Sequence, residues 1–153
     1  MSDLEDLYRE IILDHYRSPR NSGTLDPPAH KAEGFNPLCG DEIVVYLLLD
    51  DTGKIADIKI GGQGCSISQS SASMMSAAVK GKTPAQARKL MSSFKGLMSI
   101  SDKGDDLAEP TASEIRELGD LAALRGVVKF PTRIKCATLG WNTLEQALDD
   151  VGA

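Results

Sequence analysis

The stretch "EIVVYLLLDDTGKIADIKIGGQGC", Glu42 to Cys65, decides the architecture. Glu42–Leu49 is rich in β-branched and large apolar residues and reads as a strand. Asp50-Asp51-Thr52-Gly53 has turn chemistry. Ile55–Ile60 then alternates, with Ala56, Ile58 and Ile60 assigned to one face and Asp57 and Lys59 to the other. The pair is an antiparallel hairpin with one wet face. After the glycines the period changes to that of a helix, Ser66 to Lys80, with Gly81 as its stop. A hairpin that gives way to helices defines an α+β domain.

Upstream, Ser2 and Glu5 fit a capping box, and Leu4, Leu7, Tyr8, Ile11 and Ile12 recur at helical spacing. Pro19 ends that helix near Ser18. His15 lies in it and is given a structural role at the edge of the packing face. "PRNSG" and "DPPAH" are turns, and residues 29–36 read as an edge strand. Downstream, Thr83-Pro84-Ala85-Gln86 is a capping box with proline at the first helical position, and it opens a helix to about Phe94. Ser101 to Glu114 is polar and loop-like. A short helix covers Glu114 to Leu124. The last helix starts near Pro131 and packs Ile134, Thr138, Trp141, Leu144 or Glu145, and Leu148 along one side. There is no internal repeat and no linker, so the 153 residues read as one domain, 1–153.

Composition narrows the function. The net charge of -5 argues against nucleic acid, which requires a concentrated basic surface. No apolar run reaches the length of a membrane span. The stretch "MSDLEDLYRE" lacks the basic-then-apolar order of a signal peptide. The expectation is a soluble, cytoplasmic protein. Three cysteines are too few and too odd in number for a disulfide framework.

Each cysteine has unusual neighbours. Cys39 precedes Gly40 and Asp41 on a turn, and a Cys-x-Asp pair there can aim a thiolate and a carboxylate at one point; both are metal ligands. Cys65 ends a glycine-rich run where a strand gives way to a helix, whose positive end favours a thiolate. Three glycines in four residues suggest a mobile loop, or backbone that passes close to something. Cys136 lies in the second turn of the last helix, and Arg133 stands three residues earlier on the same side. Arg125, Lys129, Arg133 and Lys135 make this the most basic segment of an acidic chain. Inert buried thiols and a solvated cationic face are the plain alternatives. Taken together, three thiolates and one carboxylate complete a tetrahedral set for zinc. The distant spacings are unlike a zinc ribbon, whose paired knuckles make a rigid structural site.

The motifs "LYREIILDHYRSPRN", "NPLCGDEI", "GQGCSISQSSASMM" and "KFPTRIKCATLGW" resemble the SufU branch of the IscU-like iron–sulfur cluster assembly family. The resemblance spans nearly the whole chain. It implies an α+β fold with a three-stranded sheet and the cysteines clustered at one end. It also implies zinc held by Cys39, Asp41, Cys65 and Cys136. In this branch, sulfur is accepted as a persulfide from a SufS-type cysteine desulfurase and passed to downstream cluster assembly proteins. Cys39 is then the acceptor, and its place on a turn beside a glycine lets it swing out more easily than a helix residue. Arg133 aligns with an arginine that looks functional in the branch.

IscU-type scaffolds carry a histidine just before the third cysteine. Here Lys135 stands there, which cannot ligate while protonated. The extra length between the second and third cysteines is assigned to residues 94–128, a branch-specific inserted segment. Two other functions remain open. One is a scaffold that assembles a [2Fe–2S] cluster on the same ligands. The other is a zinc-stabilised binding module without sulfur chemistry.

Overall fold

A computed structural model describes residues 2–38, 40–98 and 111–153, without the side chains of residues 2–6 and 114. Cys39 and most of the expected loop at Ser101–Glu114 lie outside the described residues. So do the side chains of the expected Ser2–Glu5 capping box.

The hairpin forms as its pattern predicts. β2 (Asp41–Leu49) pairs antiparallel with β3 (Ile55–Gln63), and β1 (His30–Asn36) pairs antiparallel with the other edge of β2. The sheet order is β1-β2-β3. Ile43, Val45 and Leu47 point inward while Val44 and Tyr46 lie between, the alternation of a sheet covered on one face. One expectation needs correcting. Ala56 is exposed, and Ile55 is fully buried beside Ile58. The register shifts between Leu48 and Leu49, so Leu48 faces Asp57 while Leu49 faces Ile55. This irregularity inserts one residue and reverses the facing of the strand's first position. The outer edge of β3 is not left bare. Ile60 N donates to Asn21 O at 2.8 Å and Gly23 N to Ile60 O at 3.0 Å, so the segment after the first helix covers it.

The helices are α1 (Ser2–Arg17), α2 (Ser66–Val79), α3 (Pro84–Leu97), α4 (Ala112–Leu118) and α5 (Pro131–Asp150), with a 3-10 segment at Gly119–Lys129. The Thr83–Gln86 capping box is present in both directions. The region expected as one short helix, 114–124, is instead the end of α4 followed by the 3-10 segment. Its closer winding buries Leu121, Ala122, Ala123, Leu124 and Val127.

α2 and α5 form the layer against the sheet, and α1 covers α2. α5 buries far more than the expected stripe, because the sheet lies on one side and α2 on another: Ala137, Leu139, Gly140, Thr143 and Ala147 join Trp141, Leu144 and Leu148. Trp141 stacks on Phe94, ring centroids 5.6 Å apart. The serines of α2 explain how the helices meet. Large side chains there would hold α5 away, and even a Cβ added at Gly140 would lie 3.3 Å from Cα of Ala72. Each buried serine has a partner; Ser71 Oγ, for example, donates to Ala137 O at 2.5 Å.

His15 is not at an edge. It is 3% exposed, with Nδ1 2.7 Å from Ser73 Oγ and Nε2 2.9 Å from Asp120 Oδ2. This ties α1 and α2 to the 3-10 segment. The composition is that of a Ser-His-Asp triad, but Ser73 is fully buried and its Oγ also accepts from Arg20 N at 2.8 Å. A nucleophile must meet substrate, so this is a structural node.

Candidate metal centre

Asp41 is the first residue of β2 and is fully buried. Gly40, with φ +70°, makes the turn that delivers it. Asn36 closes the same turn: its backbone oxygen accepts from Gly40 N at 2.9 Å and its Oδ1 from Leu38 N at 3.2 Å. Cys65 is the N-cap of α2, with extended backbone angles and no side-chain capping bond. The sulfur is therefore left available, beside the positive end of the helix dipole. Cys136 sits in the second turn of α5 and is fully buried.

These three residues converge. One ligand atom from each of Asp41, Cys65 and Cys136 lies within 4.8 Å of the others. Cys65 N donates to Asp41 Oδ1 at 2.9 Å, which fixes the carboxylate, and its Sγ lies 3.8 Å from Oδ2. A tetrahedral zinc with bonds of about 2.0–2.3 Å places its ligand atoms roughly 3.5–3.8 Å apart. The donor set therefore fits a thiophilic cation after a small contraction. Ser68, fully buried one turn into α2, donates to Cys65 O at 3.1 Å and lies 3.9 Å from the sulfur.

The glycines before Cys65 have a specific cause. Gly62 (φ +112°) and Gly64 (φ +157°) hold conformations that favour glycine. A Cβ at Gly62 would overlap Glu42 O. One at Gly64 would overlap Asp41 Oδ1 and come within 2.9 Å of Ser68 Oγ. Of the two sequence alternatives, backbone passing close to something is the one realised, and that something is the Asp41 carboxylate.

Arg133 is exposed in the first turn of α5, with its amide bonded to Phe130 O at 2.7 Å; Lys135 is also exposed. Cys39, the fourth expected ligand, is outside the described residues. Sequence reasoning missed Asn36 and Ser68. Only their distance along the chain from a cysteine, three residues in each case, could have suggested them. Large apolar residues are exposed around the centre as well. Phe35 and Leu38 flank Asn36, and Phe130 immediately precedes α5.

Residues 7–137 match the model of the NifU-like N-terminal domain. The chain is 42% identical over 147 residues to the zinc-dependent sulfurtransferase SufU of Bacillus subtilis, covering 96% of this chain and 92% of that one. It is 38% identical over 148 residues to the iron–sulfur cluster assembly scaffold protein IscU of Streptococcus pyogenes, covering 97% and 86%. The crystal structure of a putative SUF-system scaffold protein from Fervidobacterium islandicum superposes with a TM-score of 0.72 at 34% identity, covering 91% of this chain and 94% of that one. Sequence match, fold and the convergence of Asp41 with two cysteines thus lead to one conclusion: the chain belongs to the NifU-like N-terminal domain family, among the SufU- and IscU-like proteins of iron–sulfur cluster assembly.

Proposed function

We propose that the protein is a zinc-dependent sulfur acceptor, loaded by a cysteine desulfurase and serving cluster assembly downstream. The observation that carries this reading is the Asp41–Cys65–Cys136 group, three ligand atoms within 4.8 Å at the ends of separate elements. Cys39, two residues before Asp41, supplies the fourth ligand and the acceptor sulfur. Bound zinc would keep the sulfurs as thiolates and hold β2, α2 and α5 together at this end.

The transfer itself is thiol–disulfide chemistry. The Cys39 thiolate attacks the terminal sulfur of the partner's persulfide. The old S–S bond breaks, a new one forms on Cys39, and the partner's cysteine leaves as thiolate, with no net oxidation. Exposed Phe35, Leu38 and Phe130 provide apolar contact for the docking partner, and Arg133 provides charge. We assign residues 94–128 to the branch-specific insertion within a single domain.

The test is sulfur transfer with the cognate desulfurase, joined to metal analysis. Wild type should contain one zinc per chain and become persulfidated. Cys39→Ala should take up at least about 100-fold less sulfur, the scale of losing the group that forms the covalent bond. Uptake at the wild-type level would refute the assignment. The cluster-scaffold reading is favoured by the likeness to the streptococcal IscU, and thiolates hold [2Fe–2S] clusters well. Lys135 counts against it. A cluster reconstituted without oxygen and passed intact to an acceptor protein would establish it instead.

A further inference from the structure

Asn36 is 7% exposed, and its Nδ2 is buried with no hydrogen-bond partner among the described residues. Leaving such a donor unpaired is costly, and native structures rarely do so without reason. The rest of this residue is fully employed: Oδ1 holds the Leu38 amide and the backbone oxygen holds the Gly40 amide. Asn36 also faces Asp41 directly in the antiparallel register of β1 and β2. Side chains directly opposite in such a pair share a face, with Cβ atoms about 4.5–5.5 Å apart. The carboxylate, for its part, is anchored through one oxygen among the described residues. Oδ1 accepts the Cys65 amide, while Oδ2 has among them the long 3.8 Å approach of the Cys65 sulfur.

We infer that Asn36 is a positioning residue for the metal centre, donating from Nδ2 to Asp41 Oδ2 when that carboxylate ligates. An ionised oxygen has room for a metal on one lone pair and an N–H donor on another. Ligating carboxylates are commonly held in this way, and losing such a partner typically weakens metal binding about 10–100-fold. The residue thus acts twice, shaping the turn through oxygen and orienting the ligand through nitrogen. The inference rests on Asp41 being a ligand, as proposed above. It does not depend on sulfur transfer.

Zinc affinity by chelator competition, and the visible absorption of the cobalt-substituted protein, provide readouts independent of activity. Asn36→Ala should bind zinc about 10–100-fold more weakly and shift the cobalt spectrum. Asn36→Asp keeps the oxygen that holds the turn and removes the donor, so it should lose affinity too. Wild-type affinity in Asn36→Asp would overturn the inference and leave a turn-holding role alone. A double-mutant cycle locates the effect. In an Asp41→Ala background the Asn36→Ala change should alter affinity less than about twofold. An undiminished loss there would show that Asn36 does not act through Asp41, and overturn the inference. If Asp41→Ala itself binds zinc like wild type, the ligand assignment has failed first, and the inference falls with it.

Discussion

Two polar constellations in this molecule draw on three elements each, and they differ in one respect. The His15 node joins Ser73, His15 and Asp120 from α2, α1 and the 3-10 segment, and both ring nitrogens of the histidine have partners. The candidate metal centre joins Asp41, Cys65 and Cys136 from β2, α2 and α5. There the Cys65 sulfur caps nothing, and Asn36 Nδ2, on the residue opposite Asp41, has no hydrogen-bond partner among the described residues. The first has the residue types of a catalytic triad, yet its interactions are complete and its serine is sealed. The second has no textual resemblance to a triad and retains bonding capacity. Unspent valence, rather than residue type, separates a site from a brace.

Matched substitutions test that contrast. Asp41→Ala should reduce zinc affinity by at least about 100-fold in chelator competition, since it removes a proposed ligand and not merely a ligand's support. Asp120→Ala should leave zinc affinity as it is. It should cost about 1 kcal/mol in denaturant unfolding, because it takes the partner from the buried His15 Nε2 while Asp120, 58% exposed, leaves room for water to replace part of that bond. A large loss of zinc affinity in Asp120→Ala would join the two regions energetically and break the distinction.

His15→Leu is the next largest change. It leaves the Ser73 hydroxyl short of one partner in a dry environment, and should destabilise the fold by about 1–3 kcal/mol with zinc stoichiometry unaltered. Differential unfolding of the zinc-loaded and chelated forms would reveal it.

The smallest expected effect lies at the rim of the node. The hydrogen bond and charge of Arg20 hold the Asp14 carboxyl below the usual carboxylate range. A carboxyl with a depressed folded value contributes stability above its unfolded pKa of about 3.9, and the contribution is lost as pH falls through the lower folded value. Asp14→Asn should therefore melt slightly below wild type at pH 6, with the gap closing as pH drops below about 4. A gap that widened with acid would contradict the sign of the shift.

Much of this was legible from local chemistry. The hairpin, the Thr83–Gln86 capping box and the Gly81 stop depend on neighbours within a few residues, and they stand as expected. The grouping of Asp41 with Cys65 and Cys136 was legible for another reason: cysteines are scarce here, and each stood in unusual company. The irregularity that turns Ile55 inward was not visible, because it arises in the pairing of two strands. Nor was the node: His15 and Asp120 are 105 positions apart, and neither has a local pattern pointing to the other.

The sequence by itself determined the periodicities, the caps and the identities of the sulfur and carboxylate groups, because these follow from backbone sterics and side-chain chemistry. Only the tertiary structure decided which groups meet. Packing of α2 against α5, so close that a Cβ at Gly140 would press on Ala72, is what brings the base of Cys65's helix to Cys136. The β1–β2 register sets Asn36 beside Asp41. The bare glycine at position 64 makes room for that carboxylate. Each is a question of shape between distant segments, where a few tenths of an ångström decide whether two groups touch, and no local rule of sequence carries that information.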